Sequence, residues 1–283
     1  SDAVWEDLLY SHDRKLRKKP GEGDGKLLDK EQLWHEKRIH DKGLQRFHLM
    51  LMGGDQIYFD SIWEDISVLR QWVALPRQAQ LNFKVSKSLD REIEAYYFGL
   101  YKQRWLPTER LPWSSAVAAL DAGAAMASMP TIMMWDDHDI FDGWGSYSCE
   151  MQNCELFQTL FRHARRAFWV FQMQHALEDL PELEDITPPG FTQQDPLLKP
   201  MPWKRLLAED SLALPLLDKQ PGFTSAYSIG QVSVVAADLR TERSRTQIMG
   251  SDTWKQIKEW TDNLQTGGCL LYTSPSPRDR TRS

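Results

Sequence analysis

Cysteine is scarce in this chain of 283 residues, which carries only 3. So few thiols exclude a scaffold held together by disulfides, and they lean toward a cytoplasmic compartment while leaving secretion open. Long apolar runs are missing too. None reaches the roughly 20 residues that a membrane-spanning helix needs, so no membrane association is expected. Positive charge is in deficit: 34 Lys and Arg stand against 40 Asp and Glu, a formal net charge of −6. That balance argues against a surface for the phosphate backbone, so nucleic acid is expected at most as a substrate. The basic run at residues 14–19 reads as a solvated helix face, with a nucleic-acid arm as its alternative. No Gly-x-Ser-x-Gly elbow is present to supply a serine nucleophile. What is plentiful is tryptophan, with 12 residues, which suggests an aromatic-lined core or cleft.

Both ends read as those of a piece. Ser1 stands where an initiator methionine would. The segment Cys269-Leu270-Leu271-Tyr272-Thr273-Ser274-Pro275-Ser276-Pro277-Arg278-Asp279 matches a translation of a widely used transposase sequencing adaptor. The natural chain is therefore expected to stop near Gly268, with 269–283 a non-native tail; the alternative is a disordered Ser/Pro/Arg tail. Without the tail the balance is more acidic still, and only Cys149 and Cys154 remain. What is left suits one large α/β domain or two small ones.

Residues 1–43 are highly charged and read as a short helix, a loop at Gly21-Glu22-Gly23-Asp24-Gly25, and a second helix over 30–40. His35 and His40 on that polar helix read as surface. Residues 44–268 form the main domain. Its first strand is expected at 47–52, followed by a helical insertion over 61–129. Within the insertion, Ile93, Tyr96, Tyr97, Leu100 and Tyr101 mark the apolar face of a helix over 89–105. An Ala-rich helix is expected over 114–129, capped by Ser114 and stopped by Pro130. A second buried strand follows at 131–135, then a long helix over 150–180 with Phe157, Leu160, Phe161, Phe168 and Phe171 facing inward. Its Arg162, His163, Arg165 and Arg166 read as a wet face or as one turned to the cleft. Residues 181–222 are Pro-rich and irregular. Strands at 224–229 and 231–237 around Ile229-Gly230 make a hairpin. A closing helix is expected over 251–264, capped by Ser251 or Asp252.

Chemistry gathers where three apolar strands stop. The first runs into Gly54-Asp55-Gln56-Ile57-Tyr58-Phe59-Asp60, the second into Trp135-Asp136-Asp137-His138-Asp139, the third into Asp238-Leu239-Arg240-Thr241-Glu242-Arg243. Strands of one sheet bring their tips to a common edge, so these clusters can share one site. Gly53-Gly54 lets the backbone turn sharply before Asp55. Asp136, Asp137 and Asp139 crowd three carboxylates into four residues, a repulsion that a metal ion, an arginine or water must offset. Oxygen ligands with one imidazole suit hard or borderline cations. His138 reads as a ligand or a proton donor, and Arg240 and Arg243 as planar donors for phosphate oxygens. Taken singly, each cluster could instead be a solvated loop or a simple turn.

Gly54-Asp55-Gln56-Ile57-Tyr58, Trp135-Asp136-Asp137-His138-Asp139 and Asp238-Leu239-Arg240 resemble, in order, the signatures of the PhoD-like phosphatases, a branch of the calcineurin-like metallophosphoesterases. Gly143-Trp144-Gly145-Ser146 is similar to a motif of the same group. The resemblance runs from about Phe47 to the closing helix near Trp254 and Trp260. It implies an αββα sandwich with two metal ions at the sheet edge, their identity open among calcium, manganese, iron and zinc. By position, Asp55 becomes the bridging metal ligand, Tyr58 a nearby ligand or positioning group, and Asp137 a ligand. His138 contacts the phosphoryl group and assists the leaving oxygen, and Arg240 flanks the phosphate. Asp136, Asp139, Asp238 and Arg243 stand around them as supporting residues. The family's first-strand ligand motif has no counterpart upstream of Asp55, and its late histidines would follow Gly268. The fold is thus expected to be incomplete at both ends, and the chain alone inactive.

The activity so implied is hydrolysis of a phosphoester by a metal-activated hydroxide. A phosphodiesterase or nuclease on the same scaffold is one alternative. A catalytically inactive metal-binding or interaction domain is another.

Overall fold

The computed structural model describes Trp5, Leu8 and residues 47–105, 122–123, 125–180, 183–186, 203–206, 216–217, 221–264 and 269–273. Apart from Trp5 and Leu8, the helices expected over 1–43 lie outside them, as do the start of the Ala-rich helix and most of 187–220. Among the described residues helix and short strand are mixed, as in an α/β fold. The strands form one pair β1 (Met50–Met52) with β2 (Thr131–Met133), one pair β3 (Leu183–Ile186) with β4 (Trp203–Leu206), and one three-stranded sheet. That sheet is β5 (Ser225–Ile229), β6 (Val232–Ala236) and β7 (Cys269–Thr273). The helices are α1 (Ile62–Asp65), α2 (Ser67–Val73), α3 (Arg77–Leu81), α4 (Lys87–Trp105), α5 (Cys149–Gln152), α6 (Glu155–Phe171) and α7 (Ser251–Asp262).

The chain divides into two compact units, Ser1–Met50 with Tyr101–Ile132, and Leu51–Leu100 with Met133–Ser283. In the first, the Met50 N–H donates to the Pro130 carbonyl at 2.9 Å, and Tyr101 and Trp105 meet edge to face. Residues 125–128 are helical, and Ala122, Ala125 and Met129 are buried.

The second unit holds the site. Its core is aromatic, as the tryptophan count suggested. Trp135, Trp144 and Trp169 are fully buried, with Phe141, Phe157, Phe168 and Phe223. Trp144 stacks on Phe161 at 4.8 Å, and Trp135 packs against Phe168 and Phe223. Helix α6 feeds this core because Leu156, Phe157, Leu160, Phe161, Ala164, Ala167 and Phe168 recur at helical spacing and are all buried. Each large apolar side chain so buried contributes roughly 1.5–3 kcal/mol. Of the face expected on α4, Ile93, Tyr97 and Tyr101 are buried and Tyr96 and Leu100 half-buried, and Leu89 is buried as well.

The long helix expected over 150–180 is broken. Ser148 caps the short α5, accepting from the Met151 N–H, and Cys154 then takes an extended backbone with ψ 152° before α6 restarts. After Phe171 the chain closes through Met173 N–H to the Phe168 carbonyl, and Gln174 adopts φ +60°. The Trp169 indole donates to the Ala176 carbonyl at 2.8 Å and holds the turned-back chain. The polar face of this helix is also corrected in part: His163 and Arg165 are buried, since α6 is covered on most of its circumference, while Arg162 is exposed. Arg162 and Arg166 pair with Asp90 and Glu94 of α4.

The expected hairpin forms. β5 and β6 pair antiparallel from Ser225↔Ala236 to Ile229↔Val232, with Gly230 at φ +61° in the turn. Val235 and Ala237 pack with Met249 and Ile257, which seats α7 on β6. That helix is capped by the backbone of Gly250, with no side-chain cap bond, in place of Ser251 or Asp252. The Pro-rich region holds one more antiparallel pair, β3 with β4, which its composition did not reveal. Strand β7 falls in the segment that matches the adaptor, and its backbone lies parallel to β6 from Val232↔Cys269 to Ala236↔Thr273.

Candidate metal centre

Gly54 makes the site possible. At φ +126° it holds a backbone that side chains disfavour, and a Cβ there would sit 2.5 Å from the Asp136 Cβ. The two acidic turns thus touch through a position only glycine can fill. Asp55 follows in the left-handed region at φ +56°, a conformation aspartate tolerates better than most residues. The second turn folds over the first: Phe59 N–H donates to the His138 carbonyl, and Ile57 N–H to Asp139 Oδ1.

This folding gathers Asp55, Asp137 and His138, whose ligand atoms all lie within 4.8 Å of one another. Asp55 Oδ1 is buried with no hydrogen-bond partner. Burial raises the Asp55 pKa above the ordinary carboxylate value, against the opposing charges of His138 and Arg240. A buried acceptor without a donor, beside a second carboxylate and an imidazole, fits a cation and is costly without one. The cluster can therefore hold a metal ion. Asp137 is fixed for the task by the Gly143 N–H at 2.9 Å and by Arg240 Nη2 at 3.3 Å.

His138 has its own support. Its Nδ1 lies 2.6 Å from Asp60 Oδ2, while Asp60 Oδ1 accepts the Asp142 N–H at 2.7 Å. Its other nitrogen, Nε2, stands 3.9 Å from Asp142 Oδ1. Burial alone would lower the His138 pKa. The hydrogen bond and charge of Asp60, with the charges of Asp137 and Asp55, outweigh it and raise the pKa. Tyr58 is 57% exposed and packs its ring on His138, the centroids 4.4 Å apart.

The remaining expected residues form the frame. Arg240, expected to flank a phosphate, has no exposed surface. Its Nε donates to Asp136, its Nη1 to the Trp144 carbonyl, and its Nη2 faces Asp137. Asp136 is itself buried, and burial pushes its pKa up to about 6 in spite of that arginine. Asp139 goes up to about 7, again by burial, while accepting from Asp136 N–H, Ile57 N–H and Gln172 Nε2. Asp238 ties the third cluster to the second: it accepts from the Trp135 indole, from the N–H groups of Phe223, Arg240 and Thr241, and from the Thr241 hydroxyl. The side chain of Arg243 lies over Gly145, where a Cβ would come within 2.7 Å of it. The Trp144 indole donates to the Arg240 carbonyl, so the Gly143-Trp144-Gly145 segment clasps the third cluster.

Two participants had no role assigned from sequence. Asp60 closes the first acidic run, and Asp142 lies one helical turn after His138. Those spacings were the available signal, and only the fold shows that both face the imidazole.

Comparison with known proteins places the chain in a family. The family model of PhoD-related phosphatases matches residues 16–187. The chain is also 26% identical over 238 residues to the uncharacterized protein YGR266W of Saccharomyces cerevisiae. That alignment covers 80% of this chain and 31% of the yeast protein, so the chain spans about a third of that relative's length. No solved structure matches the chain.

Proposed function

The chain belongs to the PhoD-related phosphatase family, and on that premise we propose that it carries the core of a metal-dependent phosphoester hydrolase. The observation that carries the reading is the meeting of Asp55, Asp137 and His138 around a buried, unpartnered carboxylate oxygen. The αββα sandwich and a pair of cations belong to the same proposal. An oxygen-rich set suits calcium or manganese, and the imidazole admits iron or zinc.

Asp55 and Asp137 would hold the metal. Bound there, it supplies Lewis acidity, which acidifies water and neutralises charge on phosphoryl oxygens. The chain's own residues do the rest. Asp60 holds Nδ1 of His138, which leaves Nε2 to carry a proton toward the leaving oxygen. The carboxylate of Asp60 favours the protonated ring against the effect of burial. Arg240 acts as a positioning residue: its guanidinium sets Asp136 and Asp137 and so shapes the turn that offers the ligand. No protein nucleophile is required.

A panel of phosphomonoesters and phosphodiesters, assayed with manganese or calcium on the longest natural form of the protein, tests the reading. Asp55→Asn and His138→Ala are each expected to lower kcat/KM by about 10²–10⁴-fold, the usual worth of an acid–base or ligand group. Ordinary turnover in both variants would show the assigned site to be wrong.

A further inference from the structure

Two tyrosines among the described residues, Tyr58 and Tyr147, are exposed, and both stand at the His138 corner. Tyr58 lies between Ile57 and Phe59, which are buried, yet its own ring is 57% exposed. One face of that ring packs on the imidazole at 4.4 Å and a tilt of 32°. Tyr147 is 37% exposed and is anchored by its hydroxyl, which donates to the Asp142 carbonyl at 3.0 Å. Asp142 is the residue whose carboxylate approaches His138 Nε2. Tyr147 also packs its ring edge-to-face on Phe157 of the core at 4.9 Å, whereas the ring of Tyr58 packs on His138. Tyr58 leaves apolar ring surface in water directly beside the group that protonates the leaving oxygen, with Tyr147 tied to the same turn through Asp142. That placement is where the leaving group of a bound phosphoester must lie, since the oxygen that receives the proton is the one joined to it.

We infer that Tyr58, with Tyr147 beside the same corner, is a specificity-determining platform that selects phosphoesters whose leaving group carries a planar aromatic ring. The inference rests on the phosphoester reading above and adds to it a substrate class. An aryl or nucleobase ring laid on Tyr58 gains a ring–ring contact that an alkyl group cannot make. Because one face of Tyr58 is taken by His138, a substrate ring resting on the exposed remainder of Tyr58 lies alongside the imidazole corner. The role differs from that of a metal ligand, which would need the phenol oxygen; the platform needs only the ring.

The test compares phenylphosphonate with methylphosphonate, two non-hydrolysable anions, binding to the full chain in the presence of manganese. Saturation-transfer NMR reads the binding and metal titration accompanies it. The expected result is a preference for the phenyl compound of roughly five- to tenfold, the size of one aromatic contact. Tyr58→Ala should abolish the preference with the methylphosphonate affinity and the manganese affinity unchanged, and Tyr58→Phe should retain it. Equal binding of both phosphonates by the unaltered chain overturns the platform and leaves the phosphoester reading standing. Loss of manganese binding in Tyr58→Phe overturns it in favour of a ligand role. Failure of both phosphonates to bind overturns the phosphoester reading, and the platform with it.

Discussion

In the proposed reaction, His138 serves as the acid only as long as Asp60 holds it. The carboxylate fixes the ring through Nδ1 and raises its pKa against the effect of burial. Asp60→Asn should therefore move the basic limb of the pH–rate profile to lower pH, since the proton on the imidazole is lost sooner. Turnover should fall by about 10–100-fold, as expected for a group that orients a reacting imidazole. A profile of unchanged position in the longest natural form would remove Asp60 from the mechanism. Gly54 is the other decisive single position. Gly54→Ala places a methyl against Asp136 and forces an unfavourable φ. Strain of this kind costs about 1–3 kcal/mol, and metal affinity should drop because Asp55 and Asp137 are pushed apart. Thermal denaturation and calorimetric metal titration of the variant check both effects.

Between elements, the turn after β2 and the polar run after β6 are joined by the buried ion pairs of Arg240 with Asp136 and Asp137. Arg240 and Asp136 are both out of water. Removing only the arginine leaves a buried carboxylate uncompensated, so Arg240→Met is expected to destabilise the chain by about 3–5 kcal/mol. The double change with Asp136→Leu should recover much of that loss in urea denaturation, and failure to recover it would show that the arginine acts through other contacts. The same elements show what a sequence reveals. Strands ending in Gly54-Asp55, Asp136-Asp137-His138 and Asp238-x-Arg240 were legible because apolar residues stop abruptly at charges. The hairpin around Gly230 was legible from its turn residue and alternating flanks. The break at Cys154 was not, because the apolar spacing of 150–180 continues across it and only the backbone of that residue departs. The β3–β4 pair was hidden in a Pro-rich stretch with no clear alternation. The burial of Arg240, His163 and Arg165 was invisible for a related reason. Charge in a sequence suggests a wet face, and only packing shows which charges are enclosed.

Over the whole molecule, the enclosed carboxylates set the pH dependence of stability. Asp136 and Asp139 titrate near 6 and 7 in the folded chain, and Asp55 is raised as well. Unfolded aspartate titrates at about 3.9, so the folded state retains protons that the unfolded state releases. Stability contributed by these groups is present below about pH 4 and falls as pH rises through about 6–7. His163, lowered chiefly by burial, has the opposite sign: its neutral ring favours the folded state as pH rises toward the ordinary histidine value. Without added metal, urea midpoints are predicted to decline between about pH 4.5 and 7.5, and Asp139→Leu should flatten the decline. A slope unchanged by that substitution would show that Asp139 is ionised and paid for elsewhere. Saturating metal should oppose the trend, because it favours ionised ligands. No helix among the described residues is long and apolar enough to cross a membrane. The most direct test of the central claim is a calorimetric titration of manganese into the chain and into Asp55→Asn. Binding is expected in the first and a loss of at least about tenfold in the second, the order expected when one charged ligand is neutralised. Equal affinity in both, or no binding in either, would contradict it.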